Sequence, residues 1–291
     1  MFLVHPKDFP EAEKIFQISG YHGVEVKSIE MENLEFWMRD VAPTFVFAKG
    51  PSQSGLHGAD FNFNSWGERY PSANNTRLAG HILTNLAITR VETPIVPEGG
   101  ALETDGDGML LVTESSIINP NCNPYISRET IEEELRRLLG VTKTIWVPSL
   151  RGYEVTDAHI DSWARFAAPG KVILNGPRPR RPLLTEVYDT TKHILSQATD
   201  AKGRHLKIID LPEGGIERPD PIDPEYASSY VNYILVHGAV IAPRLLYPQA
   251  DEKAKGILQA AFPERKVVQV FHESIAWTGG GVHCATQEIS G

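Results

Sequence analysis

The sequence predicts an α/β protein built from recurring strand–helix units rather than from one long open sheet. Short apolar runs stopped by turn residues recur along the whole chain, and helical periodicity appears between them. There is also an internal echo. Pro97–Gly106 (P-E-G-G-A-L-E-T-D-G) and Trp277–Thr286 (W-T-G-G-G-V-H-C-A-T) each place glycines just before what reads as an alternating strand.

Taken in order, F-L-V-H-P, T-F-V-F-A-K-G, G-M-L-L-V-T-E-S-S-I-I-N, T-K-T-I-W-V-P-S-L, G-K-V-I-L-N, L-K-I-I-D-L-P and G-A-V-I-A-P-R-L each read as a buried strand ended by a turn signal. The clearest helix is predicted over 128–139. Ser127 is its N-cap, glutamates crowd its first turns, Gly140 stands just past its end, and Ile131, Leu135, Leu138 and Leu139 share one face. Further helices are predicted at 8–18, 74–87, 186–199 and 249–261. The D-G-D-G run at 105–108 reads as a hairpin turn between L-E-T and M-L-L-V-T. The stretches 176–182 and 212–225 read as loops, because apolar strands continue on both sides.

With 291 residues, 41% hydrophobic and 22% charged, the composition is that of an ordinary globular enzyme. Such a chain buries roughly three quarters of its unfolded surface and needs no disulfide or metal staple. The 2 cysteines, Cys122 and Cys284, are too few for a disulfide framework and fit a reducing compartment. A net charge of −9 argues against nucleic acid and anionic membrane as partners and is compatible with a small cationic substrate. Charges and prolines come too early for a secretory signal, and no run of about 18 apolar residues occurs, so the expected address is cytoplasmic. Homo-oligomerisation is compatible with a chain of this size.

Four places can carry chemistry. Cys284 follows three glycines that let the backbone approach a ligand closely; a free cysteine is also a common buried small hydrophobe. Its neighbour His283 would alternate to the opposite face of a strand, which argues against it as the catalytic base. His159 and Asp161 form H-x-D, and on a strand both would point into one space as an acid–base group beside a cation-gripping carboxylate. The same pair would suit a solvated strand face, and zinc would need further ligands that no HExxH or CxxC supplies. Asp40 closes F-W-M-R-D behind Trp37, a carboxylate and ring fit to cradle a flat cation; the alternative is a surface pair with Arg39. Glu98 leads into glycines, as a second cation-binding acid or as a turn residue. G-G-A-L-E-T-D-G-D-G lacks the features of a phosphate loop or dinucleotide fingerprint, and D-G-D-G lacks those of an EF-hand.

Together, F-W-M-R-D-V-A-P-T-F-V, F-N-F-N-S-W-G, P-E-G-G-A-L-E-T-D-G-D-G, H-I-D and G-G-G-V-H-C-A-T-Q resemble, in that order, the agmatine deiminase family. That family is grouped with the bacterial-type peptidylarginine deiminases in the guanidino-group-modifying superfamily. The resemblance spans residues 3 to 289 and implies a five-fold pseudo-symmetric α/β propeller of ββαβ units, with residues 1–291 as one catalytic domain. Family members extend further at the N-terminus, so the first unit is expected to be shortened.

The resemblance also implies that Cys284 is the nucleophile, His159 the general acid/base, Asp40 and Asp161 the guanidinium-holding carboxylates, and Trp37 and Glu98 substrate-site residues. It implies a covalent thiouronium route from agmatine to N-carbamoylputrescine and ammonia, with no metal or organic cofactor. Arginine or peptidyl arginine as substrate, or a catalytically silent shortened relative, stay open as alternatives. In E-V-T-D-A, Val155 stands where the family tends to carry an acid for the distal amine; Glu154 and Asp157 are the candidate substitutes. Cys122, where an arginine is more usual, reads as structural.

Overall fold

One pairing pattern repeats through the computed structural model, which describes residues 1–20, 25–49, 54–177, 182–214, 226–245 and 247–289. β1 (Phe2–Val4) and β2 (Val26–Ser28) are parallel, with the helix Phe9–Ile18 between them. β3 (Thr44–Ala48) pairs antiparallel with β4 (Gly55–Asp60), and β5 (Thr89–Glu92) returns parallel to β4 after the helix Ala73–Asn85. The same order follows in β6 (Glu103–Thr104), β7 (Met109–Thr113), the helix Arg128–Leu139 and β8 (Lys143–Val147). It recurs in β9 (Ala164–Ala168), β10 (Lys171–Asn175), the helix Pro182–Gln197 and β11 (Lys207–Leu211). β12 (Ile234–Val236), β13 (Ala239–Arg244), the helix Pro248–Ala261 and β14 (Lys266–Phe271) repeat it once more. In each three-stranded sheet the second strand is central, and the first unit matches the last three elements of the others.

Local chemistry explains these elements. An antiparallel pair closes through a short turn, whereas a parallel pair needs a crossover, here a helix. At the β6–β7 turn, Asp105 Oδ1 accepts the N–H groups of Asp107 (2.7 Å) and Met109 (3.0 Å), while Gly106 and Gly108 take positive φ. The Arg128–Leu139 helix starts on Ser127, whose Oγ accepts the Thr130 N–H at 3.2 Å, and stops at left-handed Gly140.

Alternation along the central strands joins neighbouring units. Leu110 and Val112 of β7 face their own helix at Ile131 and Leu135. Met109 and Leu111 face the next unit, meeting Val172 and Leu174 of β10 and Leu184, Val187 and Leu195 of its helix. Ile173, on the other face of β10, joins Val240, Ala242, Ala254 and Leu258 of the last unit. Ala59 and Phe61 meet Leu138 in the same way. Each of these helices thus fills the layer between its own sheet and the preceding one, which is why M-L-L-V-T is apolar on both faces.

The glycine echo is only half structural. Gly99–Ala101 is a tight turn leading into β6, but Val282–Ala285 is a turn and no strand follows it among the described residues. The predicted loops at 176–182 and 212–225 lie mostly outside the described residues, at 178–181 and 215–225. No helix among the described residues is long and apolar enough to cross a membrane.

Leu111 is fully buried between two units. Leu111→Ala is expected to lower stability by about 2–5 kcal/mol, read as a lower denaturant midpoint at unchanged slope.

Candidate active site

Every connection between successive units brings a chemically active side chain to one cavity of about 90 Å³ or to the residues directly behind it. The segment from β2 to β3 supplies Trp37 and Asp40, and that from β5 to β6 supplies Glu98, Gly99 and Gly100. His159 and Asp161 lie between β8 and β9, Asn232 between β11 and β12, and Cys284 follows β14. All six side-chain candidates from the sequence are thereby brought together; Glu98 sits behind His159 rather than on the cavity wall.

The H-x-D pair does not lie on a strand. Asp157 and Ala158 adopt left-handed φ of 57° and 67°, which ends extended backbone, and His159 begins a single tight turn, Ile160–Ser162. The two side chains still converge, because a Cβ on Gly100 would press on His159, Asp40 and Asp161 at once. Gly100 therefore has to lack a side chain for the acids to close around the imidazole.

His159 Nδ1 is 3.6 Å from Asp40 Oδ1, and its Nε2 is 3.4 Å from Glu98 Oε2 without an aligned hydrogen bond. Burial disfavours the imidazolium, but Asp40, Glu98 and Asp161 outweigh it and His159 is pushed up to about 10. Burial raises Glu98 despite the imidazole beside it. Burial likewise lifts Asp161 to about 6, with His159 pulling down and Asp40 pushing up.

Asp40 is not paired with Arg39. Its Oδ2 accepts the Trp66 indole N–H at 3.0 Å and its Oδ1 the Gly100 N–H at 3.0 Å. Arg39 turns the other way, to Glu288 and to the His283 carbonyl at 3.4 Å. Its backbone N–H donates to the Cys284 carbonyl at 2.9 Å, so the turn carrying Asp40 also grips the turn carrying Cys284.

Cys284 Sγ lies 3.6 Å from Asp161 Oδ2 and 3.2 Å from Asn232 Nδ2. Burial, then Asp161 and Asp40, hold the thiol well above its ordinary value, so the free site pairs a neutral thiol with an imidazolium.

Three neighbours were not among the sequence candidates. His283, set aside on the assumption of a strand, sits in a turn with Nδ1 2.7 Å from Asp161 Oδ2; burial, then Arg165 and Arg39, keep it neutral. Trp66 is aimed by a left-handed run in which Ser65, Trp66, Gly67 and Glu68 all take positive φ. The F-N-F-N-S-W-G motif marked that segment without showing which residue reaches the site. Asn232 carried no signal, since its sequence surroundings contain neither glycines nor other titratable groups of the site.

Asp157, one candidate partner for a distal amine, is already committed. It is buried, ion-paired with Arg69 at 3.0 Å and hydrogen-bonded by Gly152 and Asn119. Glu154 does line the cavity, oriented by the Thr156 N–H (2.8 Å) and hydroxyl (2.6 Å). Cys122 is buried behind Glu98, its Sγ 3.8 Å from Oε1, and burial, then Glu98, raises its thiol above the ordinary range. Among the described residues, no group of three or more His, Cys, Asp or Glu is placed to hold a metal ion.

The family of Porphyromonas-type peptidyl-arginine deiminases matches residues 1–289. The chain is 33% identical over 285 residues to the agmatine deiminase of Pseudomonas aeruginosa, covering 90% of this chain and 76% of that protein. It is 32% identical over 291 residues to the agmatine deiminase of Medicago truncatula, with the same two coverages, 90% and 76%. The solved structure of agmatine deiminase from Enterococcus faecalis superposes with a TM-score of 0.84 at 28% identity, covering 98% of this chain and 81% of that one. On a match that runs almost from end to end, the chain belongs to the Porphyromonas-type peptidyl-arginine deiminase family.

Proposed function

We propose that this chain is an agmatine deiminase, hydrolysing the guanidinium of agmatine to N-carbamoylputrescine and ammonia through a thiouronium on Cys284. The observation that carries the reading is one cavity lined by Cys284, His159, Asp40 and Asp161, with the rings of Trp37 and Trp66 in its wall. The choice of agmatine rests on the same wall. Asp40, Asp161 and Glu154 line it, and no Lys or Arg does among the described residues. A guanidine with a cationic tail suits that lining, whereas the α-carboxylate of arginine would meet acids without a cation to pair with.

The steps follow from the groups in place. Asp40 and Asp161 hold the planar guanidinium and leave its carbon open above Cys284 Sγ. The bound cation offsets the two carboxylates that suppress ionisation of the thiol, which loses its proton to solvent. The thiolate adds to the guanidinium carbon, forming a C–S bond and a neutral tetrahedral centre. The His159 imidazolium protonates one nitrogen, ammonia leaves, and the S-alkylthiouronium cation remains. Neutral His159 then takes a proton from water as the hydroxide adds to the same carbon. The C–S bond breaks, thiolate departs, and the hydroxyl proton of the ureido product passes to sulfur, restoring thiol and imidazolium.

Five units placed around this cavity form the pseudo-five-fold propeller, and residues 1–291 act as one catalytic domain. The nearest-neighbour packing and the convergence of the inter-unit connections support this arrangement. The two free thiols are consistent with a cytoplasmic enzyme.

Incubation with agmatine, arginine and a peptidyl arginine tests the reading. Ammonia and ureido product are expected from agmatine, and Cys284→Ala is expected to abolish both while retaining the wild-type melting transition. Preference for arginine would overturn the substrate assignment, and turnover by Cys284→Ala would overturn the mechanism.

The pH profile gives a second test. Cys284 has to shed its proton and Asp161 has to be ionised to hold the cation, so kcat/KM is expected to fall with falling pH, and more steeply below about 6. His159 has to be protonated to release ammonia, so the rise with pH is expected to stop as pH passes about 10. A rate that keeps rising above that range would contradict the role given to His159.

A further inference from the structure

Four groups beside the Cys284 sulfur matter for its charge, one of them the Gly281 backbone, whose hydrogen bond favours the thiolate. Asp161 Oδ2, at 3.6 Å, opposes ionisation. The two ends of the Asn232 carboxamide are the others: Nδ2 at 3.2 Å and Oδ1 at 3.5 Å. Among the described residues Asn232 is the one side chain that can donate a hydrogen bond to this sulfur.

The carboxamide is held in a defined orientation. Asn232 is 2% exposed, and its Oδ1 accepts the His283 N–H at 3.1 Å and faces the Cys284 N–H at 3.5 Å. Two backbone donors on one end direct the Nδ2 end to the sulfur and to the Asp161 carbonyl, 3.5 Å away. A Cβ on Gly281 would collide with this carboxamide, so the last glycine of G-G-G is what lets the nucleophile turn approach it.

An amide suits both states of the sulfur. The neutral thiol can point its S–H at Oδ1, and after ionisation Nδ2–H is the side-chain donor matched to it, beside the Gly281 backbone. Resting on the reading of Cys284 as nucleophile, we propose that Asn232 is a catalytic residue of the deiminase reaction, its Nδ2–H holding the sulfur as thiolate while Oδ1 pins the turn that carries it. The same bond forms again when thiolate leaves in the second half of the reaction, so Asn232 acts on both addition and departure. The titratable groups around the thiol are Asp161 and Asp40, which oppose the thiolate, with His159 and His283 beside those acids. Arg39 lies behind the turn and is engaged with Glu288.

The test compares wild type, Asn232→Ala and Asn232→Asp. The aspartate keeps the size and the oxygen that pins the turn but removes the donor. Two readouts are taken: agmatine turnover, and the pH dependence of Cys284 alkylation by iodoacetamide in the free enzyme. Loss of one hydrogen bond to an ionised group corresponds to about a 10- to 100-fold fall in kcat. KM is expected to change by less than about threefold, and the alkylation profile to move to higher pH by about one pH unit or more in both variants. Asn232→Asp with kcat within about twofold of wild type and an unmoved alkylation profile would overturn the proposal. A purely structural role would lower activity in Asn232→Ala without moving the alkylation profile, and that result overturns it too. Turnover that survives Cys284→Ala would overturn the nucleophile assignment itself, a failure distinct from that of Asn232.

Discussion

Buried negative charge is the constraint on which the rest of this structure depends. Asp40, Glu98 and Asp161 sit around one imidazole with almost no exposure to water, an arrangement that like-charge repulsion and desolvation both oppose. The chain offsets it with whatever donors it can aim there: the imidazolium of His159, the Nδ1–H of His283 on Asp161, and the Trp66 indole and Gly100 backbone N–H groups on Asp40. What remains is an acid-rich cavity whose balance a guanidinium ion completes. Burial, and then this surplus, hold the Cys284 thiol in its protonated form, so in the proposed reaction the charge of the substrate and that of the thiol are linked.

Holding those acids together is a task the repeating architecture is suited to. Each sheet packs through the next unit's helix, which leaves the inter-unit connections free to deliver Asp40, Glu98, His159 with Asp161, Asn232 and Cys284 to one place. The backbone leaves ordinary conformation at two places that shape the site. Asp157 and Ala158 before His159 and, within the second unit after β4, Ser65, Trp66 and Glu68 are left-handed non-glycine residues, each costing on the order of 1–2 kcal/mol. Strain of that kind persists where surrounding contacts over-determine it, as the Asp157–Arg69 pair and the Trp66–Asp40 bond do here.

Much of this was legible in the residues. The helix over 128–139 ends where Ser127 and Gly140 said it would, because capping chemistry is local. Helices predicted at 8–18, 74–87, 186–199 and 249–261 occur at Phe9–Ile18, Ala73–Asn85, Pro182–Gln197 and Pro248–Ala261. Several strands escaped notice. β4 is G-L-H-G-A-D and β9 is A-R-F-A-A, and neither reads as apolar, since Gly58 gives room to Leu83 and Arg165 is buried against Glu103. In the site, the glycine-rich motif pointed to Cys284, yet assuming a strand at V-H-C placed His283 on a far face, whereas the turn there brings it to Asp161. Periodicity cannot report a left-handed pair such as Asp157–Ala158, nor can it place Asn232, which reaches Cys284 only through tertiary packing.

The account turns on one claim: that the guanidinium, once bound, is what ionises Cys284. The most direct measurement is proton release on agmatine binding to His159→Gln, by calorimetry in buffers of different ionisation enthalpy near neutral pH. That variant cannot expel ammonia, so binding and thiol ionisation are isolated from turnover. The account predicts a proton released on binding that disappears when Cys284→Ala is added to the same variant. Equal proton release with and without Cys284 would contradict it, because the thiol would then have the same charge before and after the cation arrives.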